Sequence, residues 1–223
     1  MNKSQNTDIP VITLDGDAGA GKGTTRILVA QRLAWNELDS GVLYRLVAYL
    51  GQDSPTEDHY RIIAQGLVGV RMSEGKVFLF DRVLTDKELR TSAMDAAAAK
   101  VARDKEVRLA LREIQERARS GRGLVTDGRD MGTIFIAPNV YRFYLTADAE
   151  VRARRRVAQD LDKDVVPSVL EVRRSLEERD LMDKTRAVSP LTLHPEAVVV
   201  DTTHMKPEEV AEHIISIYKS KAA

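Results

Sequence analysis

Gly16-Asp17-Ala18-Gly19-Ala20-Gly21-Lys22-Gly23-Thr24 is the stretch that decides the fold. Before it, Ile9-Pro10-Val11-Ile12-Thr13-Leu14 is a short apolar run with β-branched residues that reads as a buried strand. After it, apolar residues at Ile27, Leu28, Ala30, Leu33 and Ala34 predict a helix from Lys22 through Trp35, with Arg26 and Arg32 between them. Strand, glycine loop and helix in that order let backbone amides curl around phosphate groups while the helix N-terminus adds partial positive charge. Glycine permits the close approach and the positive φ this needs, and Lys22 reaches the β and γ phosphates. The residue after Lys22 is Gly23, where a generic phosphate loop places a Ser or Thr on magnesium; Thr24 and Thr25 follow one step later. That shift points away from GTPases and motor ATPases, and no Asn-Lys-x-Asp guanine-reading element occurs.

Outward from the loop, Leu43–Leu50 reads as a short helix stopped by Gly51 and the Asp53-Ser54-Pro55 turn. Residues 56–91 change character: a helix, an apolar run Leu67–Met72, the turn Ser73-Glu74-Gly75-Lys76 and Val77–Phe80 predict a small hairpin-bearing insertion. Helical periodicity resumes at Asp86, and a long helix runs from Asp104 through Arg119 to a stop at Ser120-Gly121. Leu124–Asp127, Tyr141–Thr146 and Ala197–Val200 read as buried strands. Helices are expected over 148–160, Pro167–Met182 and Pro207–Lys219. Strands alternating with helices predict an α/β protein with a parallel sheet.

Composition narrows the function classes. The 223 residues are 43% hydrophobic and 30% charged, enough to close one core, so a single domain is expected over 1–223. No apolar run approaches the roughly 20 residues that span a bilayer, and Met1–Asn6 carries no apolar leader; the expectation is a soluble, cytoplasmic chain that does not bind membranes. With no cysteine, disulfides, thiolate metal sites and cysteine nucleophiles are excluded. Lys plus Arg and Asp plus Glu balance at 34 each, which argues against nucleic-acid partners. Within that balance Arg supplies 23 and Lys 11 positive charges, and the guanidinium fork suits phosphate and carboxylate. His59, His194, His204 and His213 stand singly without ligand spacing, so no protein-built metal site is expected.

The Gly-Lys-Gly-Thr form resembles the nucleoside monophosphate kinases. Leu38-Asp39-Ser40-Gly41-Val42-Leu43-Tyr44-Arg45, Thr126-Asp127-Gly128-Arg129-Asp130-Met131-Gly132-Thr133 and Glu178–Arg186 with its Ser189-Pro190-Leu191 tail extend the resemblance, over nearly the whole chain, to the bacterial cytidylate kinases. That resemblance implies a phosphate-loop three-layer α/β sandwich with a parallel sheet, an inserted monophosphate-binding subdomain over 56–91 and a short lid over 150–170. It implies ATP-dependent phosphorylation of CMP and dCMP, with Mg2+ held mainly by nucleotide phosphates and water.

By resemblance, Gly16, Asp17, Ala18, Gly19, Ala20, Gly21, Lys22, Gly23 and Thr24 hold the donor nucleotide, joined by Arg156, and Lys22, Arg129, Arg186 and Arg155 are the catalytic cations. Ser40, Arg45, Arg129 and Arg186 fall on the acceptor phosphate, Arg179 and Asp183 on the sugar, and Arg108 with Asp130 on the cytosine edge. A carboxylate there accepts from the exocyclic amine and a guanidinium donates to O2 and N3, which separates cytosine from uracil. Arg152, Arg154, Arg155 and Arg156 form the lid's dense basic stretch, and Asp127 is a candidate for ordering magnesium-bound water. Two departures stand out: Ala99 where many of these enzymes carry a base-contacting Ser, and Asp17-Ala18 where Pro-Ser is usual. The alternatives are a phosphate-loop kinase for another small acceptor such as UMP, or a nucleotide-binding regulatory or RNA-associated protein using the basic stretch. A monomer is the default expectation.

Overall fold

The computed structural model describes residues 7–159 and 167–222. In chain order the strands are β1 (Val11–Gly16), β2 (Asn36–Asp39), β3 (Val70–Ser73), β4 (Lys76–Leu79), β5 (Arg82–Leu84), β6 (Leu124–Asp127), β7 (Val140–Thr146) and β8 (Val198–Asp201). The helices are α1 (Lys22–Leu33), α2 (Ser40–Leu50), α3 (Glu57–Gly66), α4 (Asp86–Leu89), α5 (Ser92–Val101), α6 (Lys105–Ala118), α7 (Met131–Ile134), α8 (Ala149–Gln159), α9 (Val169–Thr185) and α10 (Pro207–Ala222).

Five strands form one parallel sheet in the order β2-β6-β1-β7-β8. All six residues of β1 are buried, as befits a strand covered on both faces. Its side chains alternate between two cores. Ile12 and Leu14 pack with Val29, Ala30, Phe143, Val210 and Ile214 beneath α1 and α10, while Val11 packs with Val42, Leu46, Leu111, Leu124 and Met131 beneath α2, α6 and α7. Helix, sheet and helix make the three expected layers. Because every strand of this sheet runs the same way, the ends of β1, β2, β6, β7 and β8 open on one edge, the edge where open α/β sheets bind ligands.

The chain's local signals set the boundaries. Asp39 caps α2 by accepting from the Val42 amide at 3.0 Å, and Asp104 caps α6 through the Glu106 and Val107 amides. Ser168 and Glu171 close a reciprocal capping box on α9. The 56–91 segment carries the separate antiparallel sheet β3-β4-β5. One strand more than the expected hairpin, it buries Val77 and Leu84 in the same cluster as Val42 and Leu111. The expected lid spans α8 and the start of α9; its residues 160–166 lie outside the described residues. Among the described residues no helix is long and apolar enough to cross a membrane.

Two sequence expectations need correction. β2 was read only as part of a motif; it is an edge strand of mostly polar residues, Asn36-Glu37-Leu38-Asp39, without an apolar run to announce it. The buried face of α1 is Lys22, Thr25, Arg26, Val29 and Ala30, so Arg26, read only as lying between the helix's apolar positions, points inward. Its guanidinium, 2% exposed, donates from Nη1 to Asp127 at 2.6 Å and from Nε to Glu37 at 3.2 Å, with Asp39 3.6 Å away. Glu37 in turn accepts from the Gly75 amide at 2.6 Å, fastening the small sheet's turn to the large sheet.

Removing one partner of such a buried network strands the others' charge, so Arg26→Met is expected to cost about 3–5 kcal/mol. Arg32→Met, on the half-exposed face of the same helix, stays within about 0.5 kcal/mol of the parent. Urea unfolding at pH 7 measures both.

Candidate active site

The loop from Gly16 to Gly21 leaves β1 and opens α1. Gly16 has φ +132°, and a Cβ there would sit 2.0 Å from the Leu145 carbonyl oxygen; Gly21 has φ +88° as it turns into the helix. Both positions are closed to other residues for these reasons. Lys22 folds back over the loop and donates to the carbonyls of Gly16 at 2.9 Å and Asp17 at 2.6 Å. Burial, with the nearby Arg129 charge, pushes its ammonium down to about 7.

Of the expected loop residues, Asp17, Ala18 and Ala20 have their amides engaged within the protein, that of Ala20 by the Asp17 carbonyl at 3.3 Å. Asp17 N donates to the Leu145 carbonyl at 3.2 Å, and Ala18 N to Asp180 Oδ1 at 2.8 Å. The Asp17 carboxylate turns back to Thr146 Oγ1 at 2.8 Å, Tyr144 Oη at 3.2 Å and Lys184 Nζ at 3.0 Å. Burial raises this carboxyl, but the bonds from Thr146 and Lys184 outweigh it and hold it below the usual carboxylate range. The amides of Lys22, Gly23 and Thr24 start α1, where no carbonyl one turn back receives them.

Beside the loop, arginines from distant segments converge. Arg45 of α2 donates from Nε to Asp95 Oδ1 at 3.0 Å. Arg129, after β6, donates to Asp183 Oδ2 at 2.6 Å. Arg186, ending α9, donates to the Ser189 carbonyl at 2.6 Å, and its Nη2, buried without a hydrogen-bond partner, lies 3.7 Å from Asp130 Oδ1. Arg179 reaches Asp95 Oδ2 at 3.4 Å. Burial and then repulsion from Arg129 lower the Arg179 guanidinium, the signature of cations gathered without enough anions. Burial also raises the Asp127 carboxyl against the pull of Arg26, and the nearby Asp39 carboxylate pushes it the same way as burial does. Ser40 donates from its hydroxyl to the Asp127 carbonyl at 2.8 Å.

Arg108 and Asp130, 22 residues apart, form a buried ion pair. Arg108 also lies over the Tyr44 ring, 5.4 Å from its centroid, and donates to the Ala102 carbonyl. Ala99 is exposed on α5, one turn beyond Asp95.

The basic stretch of α8 fans in four directions. Arg152 is buried, bonding to Asp180 Oδ2 at 2.5 Å and to the Ala18 carbonyl at 2.8 Å; it braces the loop. Arg154 pairs with Glu150 in solvent. Arg155 donates to the Thr202 carbonyl at 2.6 Å and hydroxyl at 3.0 Å, and that hydroxyl bonds to the Ala20 carbonyl. It therefore ties down the chain after β8, whereas Arg156 faces the arginine cluster with Nη2 4.0 Å from Asp95. Three participants escaped the sequence reading: Arg26, Asp95 and Asp180. Only Arg26 left a signal, lying one turn after Lys22 on the loop-facing stripe of α1.

Comparison with known proteins agrees with this architecture. The family model described as cytidylate kinase matches residues 12–220. A cytidylate kinase of Methylococcus capsulatus is 39% identical over 218 residues, covering 95% of this chain and 98% of that one. One from Stutzerimonas stutzeri is 38% identical over 216 residues, covering 93% and 94%. One from Pseudomonas aeruginosa is 39% identical over 218 residues, covering 94% and 95%. Likeness at this level from end to end of both partners, in a chain that sets a glycine loop against a basic cleft, means that it belongs to the cytidylate kinase family.

Proposed function

We propose that the arginine-lined cleft takes CMP or dCMP as acceptor and MgATP as donor, yielding CDP or dCDP and ADP. The observation that carries this reading is the convergence, from three separate segments, of Arg45, Arg129 and the α9 pair Arg179 and Arg186 beside the glycine loop, with the Arg108–Asp130 pair at hand. Nothing favours UMP or an RNA partner.

On this reading the amides of Gly19 and of Gly21 to Thr24, with the Lys22 side chain, hold the donor's phosphates, a narrower cradle than the sequence pattern implied because the Asp17, Ala18 and Ala20 amides serve Leu145, Asp180 and Asp17. Arg45, Arg129 and Arg186 hold the acceptor phosphate, with Ser40 beside them. An acceptor oxygen, already anionic, attacks the γ-phosphorus; the bond from that phosphorus to the bridging oxygen breaks and ADP leaves. Positioning and charge neutralisation carry the step, so no general base is required. Arg156, facing the cluster, suits the migrating phosphoryl group better than Arg155, which anchors Thr202. Asp130 accepts from the cytosine amine while Arg108 donates to O2 and N3; Arg179 and Asp183 contact the sugar.

Among the described residues no three His, Cys, Asp or Glu side chains gather as a metal cage. The carboxylates whose charge reaches Lys22 are each already bonded, Asp127 to Arg26, Asp180 to Arg152 and the Ala18 amide, and Asp15 to the Met131 and Gly132 amides, which suits a magnesium ion carried by phosphates and water with Asp127 outside its inner shell. When bound, that ion neutralises charge on the donor's phosphates.

Two outcomes are expected. Asp130→Asn should lower kcat/KM for CMP about 100-fold while leaving the KM for ATP within about twofold, because it unpairs Arg108 and weakens the hold on Arg186 on the acceptor side and touches none of the donor's residues. Product chromatography with CMP, dCMP and UMP checks this, and an unchanged CMP preference removes the base-reading role. Lys22 titrates near 7 before ligand binds, so at pH 8 it is mostly neutral and donor phosphates restore its proton. ATP binding at pH 8 should then take up close to one proton per site, read from calorimetry in buffers of different ionisation enthalpy.

A further inference from the structure

Asp95 is a single carboxylate that gathers guanidinium groups from three helices. Its Oδ1 accepts from Arg45 Nε at 3.0 Å and lies 2.9 Å from Arg45 Nη2; its Oδ2 lies 3.4 Å from Arg179 Nη1 and 4.0 Å from Arg156 Nη2. Those arginines belong to α2, α9 and α8, while Asp95 comes from α5. Of the other acids nearby, Asp183 bonds to Arg129 and lies 3.7 Å from Arg186, reaching Arg179 only through space, and Asp130 pairs with Arg108 and flanks Arg186. Burial raises the Asp95 carboxyl, but Arg45 and Arg179 outweigh it and hold it below the usual range, so it is anionic at neutral pH. An anion with two oxygens, ringed by guanidinium forks, is the arrangement a phosphate monoester would make.

We propose that Asp95 is an internal competitor of the acceptor phosphate: an anion that holds Arg45 and Arg179 until an incoming phosphate displaces it. The inference rests on the reading above, in which those arginines meet the acceptor. Any anion using the same arginines must first free them, and its apparent affinity falls by the fraction of molecules in which they are free. That factor is the same for a nucleotide and for inorganic phosphate. A nucleotide recovers the loss through the Arg108–Asp130 pair and the sugar contacts; inorganic phosphate has no such contacts and is not retained. Asp95 is one-fifth exposed, so once displaced it turns to water and is not trapped against the acceptor's charge.

Asp95→Asn keeps the shape and removes the charge. The KM for CMP and the inhibition constant of inorganic phosphate against CMP are measured in parent and variant. Both should fall by the same factor, about two- to fivefold, as for loss of a partly exposed charge pair. A rise in both means that Asp95 holds the arginines in working position, and a change for CMP alone means that it touches the nucleoside; either overturns the proposal, as does no change. Asp95→Ala must move in the same direction as Asp95→Asn, and an unchanged KM for ATP shows that the variants are folded. Arg45→Met, run alongside, separates the two claims. If it raises the KM for CMP at least about tenfold while Asp95→Asn is silent, the internal anion fails and the acceptor reading stands. If Arg45→Met is itself silent, the acceptor reading fails.

Discussion

One buried cation underlies the architecture of this protein. Arg26, one turn into the helix that follows the glycine loop, binds carboxylates at the ends of two adjacent strands, Asp39 of β2 and Asp127 of β6, along with Glu37. A guanidinium so deep is tolerable only because these acids surround it, and the acids are tolerable only because of it. Its raised pKa and the depressed one at Asp39 are two sides of the same attraction, strong enough to overcome the desolvation that burial imposes on both. The consequence is positional. β2, a polar edge strand, is fixed against β6, and the residues just beyond them, Ser40 and Arg129, are delivered to the same edge as the loop.

The cleft next to it follows the opposite rule. Its arginines repel one another, and its acids are too few and too shared to quiet them: Asp183 between Arg129 and Arg186, Asp130 between Arg108 and Arg186. Arg186 keeps a buried Nη2 without a hydrogen bond. Under the loop, charge is satisfied and holds the fold; beside it, charge is left partly unsatisfied, at some cost in stability. Such a surplus of fixed cations is what neutralises a transferring phosphoryl group without reorganisation at the moment of reaction.

Much of this was legible in the sequence. The loop's glycines and Lys22 announced both fold and edge, because strand, turn and helix each left a periodic or compositional mark. β6 was read to its terminal residues, since Leu124-Val125-Thr126-Asp127 is an apolar run ended by an acid and followed by glycine. What escaped were polar elements whose partners lie far off in sequence. β2 has no apolar alternation, and Arg26 was placed only between the apolar positions Ile27, Leu28, Ala30 and Leu33, which do not announce that the buried face runs through Lys22, Thr25 and Arg26. Arg152, Arg154, Arg155 and Arg156 read as one cluster, yet a helix turns about 100° per residue and sends neighbours to different partners. Asp95 and Asp180 could not be picked out, because an isolated aspartate on a helix carries no mark of the arginine it will meet 50 or 28 residues away.

Helix α9 gives this arrangement a fixed scale. Asp180 grips the glycine loop through the Ala18 amide, and three residues on, Asp183 grips Arg129 in the cleft. At a rise of 1.5 Å per residue the two anchor points are about 4.5 Å apart along the axis. The gap between the loop and the cleft is thus gauged by one rigid rod and not by the compliance of connecting segments. A single residue inserted between the two aspartates would swing one anchor about 100° around the rod, so length variation among chains built this way should be absent from that span and confined to the helix ends.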